Sequence, residues 1–296
     1  MKILGQYQNG NYTVTLFDDG TKIRRNDEDE LIPDKPESMD ILITKRCGWG
    51  CPMCHEDATP DGRHGDLLDL PFLDTLLPYT ELAIGGGNPL CHPQLIPFLE
   101  QCRSKKLIPN MTVHANDLIS SADVLEDWTS RGLLFGLGVS VQQWDGGLLP
   151  YLRRFPNAVI HVINGVISLP DLYEMYDKGL KLLILGYKDF RRGVSAHSDV
   201  TDRRMKMLYD ELPALVSRFK VVSFDNLAID QLSPWRLLRT AEWNEIYMGD
   251  DGKYTMYIDL VNREFAKSSV STERWPLMDD IKPMFDRIRQ QTKEEI

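Results

Sequence analysis

Short apolar runs alternate with amphipathic segments from about Met39 onward. The apolar runs predict strands at 39–43, 80–84, 109–114, 134–140, 158–163, 181–186 and 219–224. The segments between them predict helices at 69–78, 93–105, 120–131, 145–155, 169–178 and 201–217. Runs such as 181–185 are continuously apolar, which is typical of a parallel sheet buried on both faces. Adjacent right-handed βα units of this kind predict an α/β fold, an open (βα)6 partial barrel.

The two ends of the chain have a different pattern. Asn9-Gly10 and Asp19-Gly20 are hairpin dipeptides between strand-like runs, so a β-meander is expected there. Near the other end, 243–259 predicts a β-hairpin turned at Asp251-Gly252, and 276–291 predicts a helix. We therefore expect an N-terminal extension at 1–37, a barrel at 38–230, and a hairpin with a helix capping it at 231–296.

The composition is ordinary for a globular protein, with 42% hydrophobic and 26% charged residues. No apolar run approaches the ~18 residues of a membrane span, and residues 1–6 contain no secretory h-region. Together with cysteines that suggest no disulfide framework, this predicts a cytoplasmic protein without a membrane segment. A net charge of −10 argues against extensive nucleic-acid binding, which depends on lysine and arginine.

Three cysteines with the spacing C-x3-C-x2-C follow the first of these strands. They are Cys47, Cys51 and Cys54. Thiolates are soft ligands that hold iron–sulfur clusters, and a four-iron cluster normally takes four of them. Three cysteines leave one iron open to a substrate or cofactor. Zinc remains an alternative, because His55 or His64 would complete a set of four ligands.

A glycine-rich turn follows the second strand, in the segment 82–89. It contains Gly85, Gly86 and Gly87, followed by Asn88 and Pro89. Glycines allow tight turns and a close approach of the backbone to a ligand, so this segment is a candidate binding loop. A plain surface turn is the alternative.

The cysteine loop and the glycine turn together resemble the signature of the radical SAM superfamily. The resemblance implies a partial TIM-like barrel with a [4Fe-4S] cluster on Cys47, Cys51 and Cys54. It also implies S-adenosylmethionine (SAM) on the open iron, at the carboxyl ends of the strands. Two positions depart from the family pattern: Met53 stands where an aromatic residue is usual, and Asn88 stands in place of a glutamate.

The resemblance also assigns roles to residues near strand ends. Those implied to contact SAM are Met53, Gly85, Gly86, Gly87, Asn88, Ser140 and Asn164. Those we place on the substrate side are His114, Gln142, Lys188 and Asp225. For each one the alternative is a polar side chain at the barrel mouth that contacts no ligand.

The implied activity is reductive cleavage of SAM to a 5′-deoxyadenosyl radical, which abstracts hydrogen from a small polar, nucleotide or peptide substrate. A reductase such as flavodoxin or ferredoxin is the implied electron donor. Two other functions remain open: a glycyl-radical-type activase acting on a partner protein, and a non-catalytic barrel module that binds an Fe-S cluster or zinc. Asn88 is the feature that most favours the non-catalytic module.

Two further features lie outside this signature. The polar, glycine-containing loop 55–66 has no apolar period and is a candidate lid over the cluster. Cys91 and Cys102 are too few for a second cluster, so both are expected to be buried structural thiols.

Overall fold

The computed structural model describes residues 1–28 and 30–294, which form two β-sheets and nine α-helices. The first sheet is antiparallel, with strands β1 (Ile3–Asn9), β2 (Tyr12–Phe17) and β3 (Lys22–Arg25). Gly10 and Gly20 have positive φ values of 58° and 91°, which their tight hairpin turns require. The predicted N-terminal meander is therefore confirmed.

The second sheet has ten strands and is mostly parallel. Its strands are β4 (Ser38–Thr44), β5 (Glu81–Gly86), β6 (Ile108–His114), β7 (Gly136–Ser140), β8 (Ala158–Ile163), β9 (Lys181–Leu185), β10 (Val221–Phe224), β11 (Thr255–Asp259), β12 (Glu264–Ala266) and β13 (Trp275–Pro276). Their order is β10-β9-β8-β7-β6-β5-β4-β11-β12-β13. All neighbouring pairs from β10 to β11 are parallel. Only the pairs β11–β12 and β12–β13 are antiparallel. The α/β class is confirmed.

Helices connect most of the parallel strands. They are α1 (Leu95–Ser104), α2 (Ala115–Ser130), α3 (Leu149–Leu152), α4 (Leu169–Met175), α5 (Arg192–Ala196), α6 (Asp199–Leu215), α7 (Asn226–Leu232), α8 (Thr240–Ile246) and α9 (Ile281–Glu294). The helix predicted at 69–78 is only a 3-10 turn, Pro71–Thr75. Pro78 disfavours a helical conformation in the residue before it, which explains the early end. No helix in the described ranges is long and apolar enough to cross a membrane.

Burial alternates along several strands of the large sheet. Ile41 and Ile84 belong to the main hydrophobic core. Their neighbours Asp40 and Ala83 are exposed on the opposite face, which we call the inner face. Leu42, on the same inner face, is buried in a separate cluster. The prediction that the sheet is buried on both faces is therefore wrong at Asp40 and Ala83 but holds at Leu42.

The two ends of the sheet approach each other across the inner face. Asn226, which follows β10, donates from Nδ2 to Asp251 Oδ1 at 2.6 Å, just before β11. Lys188, which follows β9, donates from Nζ to Ser269 Oγ at 2.9 Å, just after β12. Strands at opposite ends of the order meet only if the sheet curves strongly. The inner face is therefore the concave one.

The C-terminal hairpin lies further along the chain than predicted. Trp243 is in α8, and Asp251-Gly252 forms a turn before β11. The hairpin is formed by β11 and β12, with Tyr257 opposite Ala266. The Glu242 side chain accepts a hydrogen bond from the Arg239 backbone N–H, and this cap favours a helix at the start of 243–259. The last helix begins at Ile281 rather than 276.

A buried ionic cluster joins the N-terminal sheet to the amino end of β4. Glu37, 1% exposed at its side chain, accepts hydrogen bonds from Arg24 Nε at 2.7 Å and Tyr12 Oη at 2.6 Å. Lys22 Nζ lies 3.3 Å from Glu37 Oε2 and 2.8 Å from Glu81 Oε2. The N-terminal sheet thus supplies the cations that neutralise Glu37 and Glu81, at the amino ends of β4 and β5.

Candidate active site

The cysteine loop begins at the carboxyl end of β4, as the sequence predicts. Cys47, Cys51 and Cys54 are free thiols, and each is partly exposed. Gln142, which follows β7, directs its Nε2 at Cys51 Sγ at a distance of 2.9 Å. The structure therefore brings one of the predicted substrate-side residues to the cysteines. Met53 is partly buried within the same loop.

The second half of loop 55–66 supports the cysteine loop and does not cover it. Lys45 N donates to Arg63 O at 2.9 Å, and Gly65 N donates to Ile43 O at 2.9 Å. A side chain on Gly62 would place its Cβ 1.9 Å from Lys45 O, so only glycine fits this approach. The prediction of a lid is therefore wrong for 59–65, because this stretch pairs with the backbone of 43–47.

The first half of the same loop is attached to the segment after β9. Lys188 Nζ lies 3.1 Å from His55 Nε2, and Arg191 Nη1 donates to His55 O at 3.0 Å. Arg191 Nη1 also lies 3.3 Å from Glu56 Oε2. Burial, and then the nearby Lys188 charge, hold the pKa of His55 below its ordinary value. His55 Nε2 also lies 3.2 Å from Glu56 Oε1, so this ring nitrogen contacts both Lys188 and Glu56.

Arg192, at the start of α5, binds the cysteine loop itself. Its Nη1 donates to Cys51 O at 3.3 Å, and its Nη2 donates to Ala58 O. Its Nε pairs with Asp57 Oδ1 at 2.9 Å. One guanidinium therefore fixes two points of the loop that carries the three thiols.

The glycine turn is joined to the base of the cysteine loop by two short backbone hydrogen bonds. Gly87 N donates to Thr44 O at 2.6 Å, and Asn88 N donates to Arg46 O at 2.7 Å. A Cβ on Gly87 would lie 2.4 Å from Arg46 O. At Gly85, by contrast, a Cβ would meet nothing within 4 Å. Gly87 is needed for backbone packing, and Gly85 borders open space.

Asn88 and Trp49 converge on one carboxylate that follows β6. Asn88 Nδ2 donates to Asp117 Oδ2 at 3.1 Å, and Trp49 Nε1 donates to the same oxygen at 2.7 Å. Asn88 Oδ1 accepts from Leu90 N at 3.0 Å, as the N-cap of the turn Pro89–Cys91. The site therefore has a carboxylate beside position 88, although position 88 itself carries an amide.

Other predicted residues stand at the ends of neighbouring strands. His114 pairs in register with Ser140, and Ser140 pairs with His161. The His114 ring stacks on Trp49 with centroids 4.2 Å apart. His161 lies on the inner face, where burial lowers its pKa to about 4. His114 is thus brought to the cysteine loop, and a neutral histidine lies deeper in the same face.

Asn164 is 1% exposed and follows β8. Its Nδ2 donates to Gln231 Oε1 at 3.0 Å, while its Oδ1 has no hydrogen-bond partner within the described part of the chain. A buried acceptor without a donor is costly and points to a missing partner. Asp225, in contrast, caps α7 by accepting from Ala228 N at 2.7 Å.

Sequence reasoning missed Asp40, an acidic residue on the inner face between Met39 and Ile41. Enclosure among protein atoms raises the pKa of Asp40 to about 6, opposed by the charge of Lys188 and assisted by Asp251 and Asp225. The signal was present, since a carboxylate interrupts an otherwise apolar strand. It was overlooked because the strand was read as buried on both faces.

The remaining cysteines have different environments. Cys102 is buried, and burial raises the pKa of its thiol to about 12, as expected of a structural thiol. Cys91 is exposed, so the prediction of burial is wrong for it. Among residues 1–28 and 30–294, no three His, Cys, Asp or Glu side chains converge closely enough to hold a single metal ion.

No family model matches the sequence, and no curated protein matches it. Solved structures do match. SuiB of Streptococcus suis bound to S-adenosylmethionine is 14% identical, with a TM-score of 0.57, over 83% of this chain and 64% of that one. SuiB bound to the precursor peptide SuiA is 15% identical, with a TM-score of 0.55, over 83% of this chain and 63% of that one. This chain shares the fold of SuiB.

The shared fold covers most of this chain but less than two thirds of the SuiB chain. It confirms a mixed α/β architecture with a large, mostly parallel sheet. The sequence identity is low, so the shared fold leaves the site to be argued from its own residues.

Proposed function

We propose that this protein is a radical SAM enzyme that acts on a peptide. Cys47, Cys51 and Cys54 hold a [4Fe-4S] cluster, and SAM binds the open iron beside the glycine turn. When bound, the cluster and SAM together supply a 5′-deoxyadenosyl radical that takes hydrogen from the substrate. A reductase such as flavodoxin or ferredoxin supplies the electron, in the cytoplasm.

One observation carries this proposal: three free, partly exposed thiols lie in one loop that is held against the glycine turn. Each cysteine of a four-iron cluster binds a different iron, so three thiols spread along a loop suit a cluster. The loop is fixed by backbone hydrogen bonds at its base and by Arg192 at Cys51 O. The donor set therefore fits the group.

Gln142 tunes the cluster through Cys51. Its amide N–H at 2.9 Å from Sγ stabilises the thiolate, and hydrogen bonds to cluster sulfurs shift reduction potentials. We therefore assign Gln142 a role at the cluster rather than on the substrate side. Its role is to position and polarise a ligand.

Asp117 supplies the carboxylate that Asn88 lacks. An ammonium group beside Asn88 meets Asp117 Oδ2, which Asn88 and Trp49 already hold in place. The unpartnered Asn164 Oδ1 offers an acceptor to a hydroxyl or ammonium group of SAM. Open space at Gly85 leaves room for the ligand itself.

The inner face forms the substrate chamber of a partial TIM-like barrel. Asp40 and Lys188 carry opposite charges over this face, and the contacts between the sheet ends close it on one side. A peptide is favoured because the same fold in SuiB is found bound to a precursor peptide. Exclusion of water by this enclosure protects a reactive intermediate.

The test is anaerobic reconstitution with iron and sulfide, followed by EPR of the reduced protein with and without SAM. We expect a [4Fe-4S]+ signal that shifts on addition of SAM, and 5′-deoxyadenosine after reduction with dithionite. Cys51→Ala removes both signals, whereas Cys91→Ala, the matched exposed thiol, keeps them. One equivalent of zinc without a cluster, or a cluster signal unmoved by SAM, contradicts the proposal.

A further inference from the structure

A cavity of about 490 Å³ beside the substrate chamber is lined mostly by polar residues, four of which are carboxylates. These four are Asp230, Asp250, Asp251 and Glu273, and among the residues that the structure describes Lys267 is the one basic residue of the lining. We call it the acidic cavity. Burial and the charge of Asp225 raise the pKa of Asp251, although Asn226 and Lys267 oppose this. Carboxylates crowded in this way favour a cationic ligand.

A partly exposed aromatic cluster borders the acidic cavity. The Trp243 ring stacks on Tyr247 at 5.1 Å and meets Trp235 edge-on at 6.2 Å, and both Trp243 and Tyr247 are partly buried. Ile246 is 59% exposed and Trp235 is 43% exposed. We call these four residues the aromatic ridge. Helix α8, which carries Trp243 and Ile246, has no fully buried residue, so apolar surface remains open to solvent there.

The two features are joined through Tyr247, which lines the cavity and donates its hydroxyl to Asp250. Solvent-exposed aromatic residues in a cluster are typical of recognition surfaces. The cavity in turn borders the contact that joins the two ends of the sheet, because its lining residues Asn226 and Asp251 form that contact. A ligand that covers the ridge and the cavity can extend to the inner face.

We propose that the aromatic ridge and the acidic cavity bind a basic peptide that carries aromatic or aliphatic residues next to lysine or arginine. A cationic side chain enters the acidic cavity, and apolar side chains cover the ridge. This inference rests on the peptide-substrate part of the proposed function. It adds where the peptide docks and which residues the peptide contains.

Charge complementarity decides between this occupant and others. An anionic lipid surface or a nucleic acid is repelled by the four carboxylates. A second copy of the chain in a two-fold dimer brings the same patch against itself, and so sets acid against acid. A basic peptide is the partner that both halves of the surface attract.

The experiment measures binding to the 296-residue chain without SAM, using a fluorescein-labelled 12-residue peptide of alternating lysine, tryptophan and glycine. Fluorescence anisotropy reports the dissociation constant at low and high salt. We expect micromolar binding that weakens with salt, and at least about tenfold weaker binding when glutamate replaces lysine.

Two variants test the two halves of the surface. Asp230→Asn with Glu273→Gln, and separately Trp243→Ala, each weaken binding about tenfold, as loss of a principal contact does. The matched controls are Asp199→Asn with Glu174→Gln, and Val124→Ala, on other exposed helices. These controls bind the peptide like the unchanged protein.

The proposal is overturned if lysine and glutamate peptides bind alike, or if neither binds below about 1 mM. It is also overturned if Trp243→Ala converts a dimer to a monomer in light scattering, because the ridge is then a self-interface. The SAM-dependent EPR shift is recorded for every variant. A retained shift in these variants shows that weaker peptide binding does not come from damage to the SAM site. If the unchanged protein shows the shift but binds no peptide, this inference is refuted and the radical SAM assignment stands.

Discussion

The amino end of β4 and the inner face above it treat charge in opposite ways. At the amino end, Glu37 is enclosed and bonded to Arg24 and Tyr12, with Lys22 beside it. On the inner face, three positions further along the chain, Asp40 is exposed, and its pKa is raised to about 6. The amino end contains complete ion pairs, while the inner face holds a charge available to a ligand.

Within one sheet, the charge of Glu37 therefore stabilises the fold, whereas the charge of Asp40 is available for function. Burial alone raises the pKa of Glu37, but hydrogen bonds from Arg24 and the charges of Lys22 and Arg24 lower it overall. Among the described residues, no comparable set of hydrogen bonds holds Asp40 ionised. A group that the fold has not neutralised is one that a substrate can neutralise.

Replacing Glu37, at the amino end of β4, has the largest expected effect on stability. Glu37→Gln leaves Arg24 buried without its carboxylate and lowers the free energy of unfolding by about 3–5 kcal/mol. Because the folded pKa of Glu37 is lowered, its stabilisation is complete above the ordinary pKa and is lost as the pH falls through the folded value. Urea denaturation from pH 7 to pH 3 measures both. The exposed Glu100→Gln changes stability by less than about 0.5 kcal/mol, and an equal loss there contradicts the contrast.

The glycine turn, at the carboxyl end of β5, gives a matched pair of variants. Gly87→Ala places a Cβ against Arg46 O and is expected to cost about 1–3 kcal/mol, with a displaced cysteine loop. Gly85→Ala meets no atom within 4 Å, so it leaves stability unchanged but narrows the space for SAM. Denaturation and SAM titration are measured for both. Similar stability losses in the two variants argue against this division of roles.

Asp117 is the next most sensitive position. Asp117→Asn removes the carboxylate beside Asn88 and weakens SAM binding about tenfold, the usual worth of one charge-assisted hydrogen bond. Asp123→Asn on the same helix is the control. Adding Asn88→Asp to Asp117→Asn returns a carboxylate to the site and restores binding. Failure of this exchange shows that the charge near position 88 has no part in SAM binding.

The smallest expected effect is the change in stability when Asp40 is replaced. Its folded pKa is raised, so the ionised form is destabilising above pH 6 and this penalty disappears as the pH falls towards 4. Asp40→Asn therefore stabilises the protein at pH 7 but not at pH 4. The gain is about 1 kcal/mol or less, since solvent screens an exposed group. A gain that is the same at both pH values removes Asp40 from the titrating groups.

Periodicity and spacing predicted the seven strands β4 to β10, the N-terminal meander, the cysteine loop and the glycine turn. These are local signals: hairpin dipeptides, apolar runs and the order of residues in one loop. The error at 243–259 has a local cause too, because the capping contact between Glu242 and Arg239 competes with strand propensity. Pairing of β11 with β4 then fixes where the strand begins.

The missed parts of the site depend on distant contacts. Asp117 reaches Asn88 across 29 positions, and Gln142 reaches Cys51 across 91. Arg192 holds the cysteine loop from α5. No pattern within one segment carries these distances, because they follow from the curvature of the sheet. Asn164 stays a predicted SAM contact, and its buried Oδ1 has no partner among the described residues.

The ionic cluster at Glu37 also determines whether the N-terminal sheet can be separated from the large sheet. A cut between 37 and 38 passes through it, since Lys22 belongs to the small sheet and Glu81 to the large one. The large sheet, transferred without the first 37 residues, carries Glu81 without its counter-ion Lys22. Recombination or domain fusion at that point must therefore replace the cation as well as the backbone. The two sheets are better transferred together.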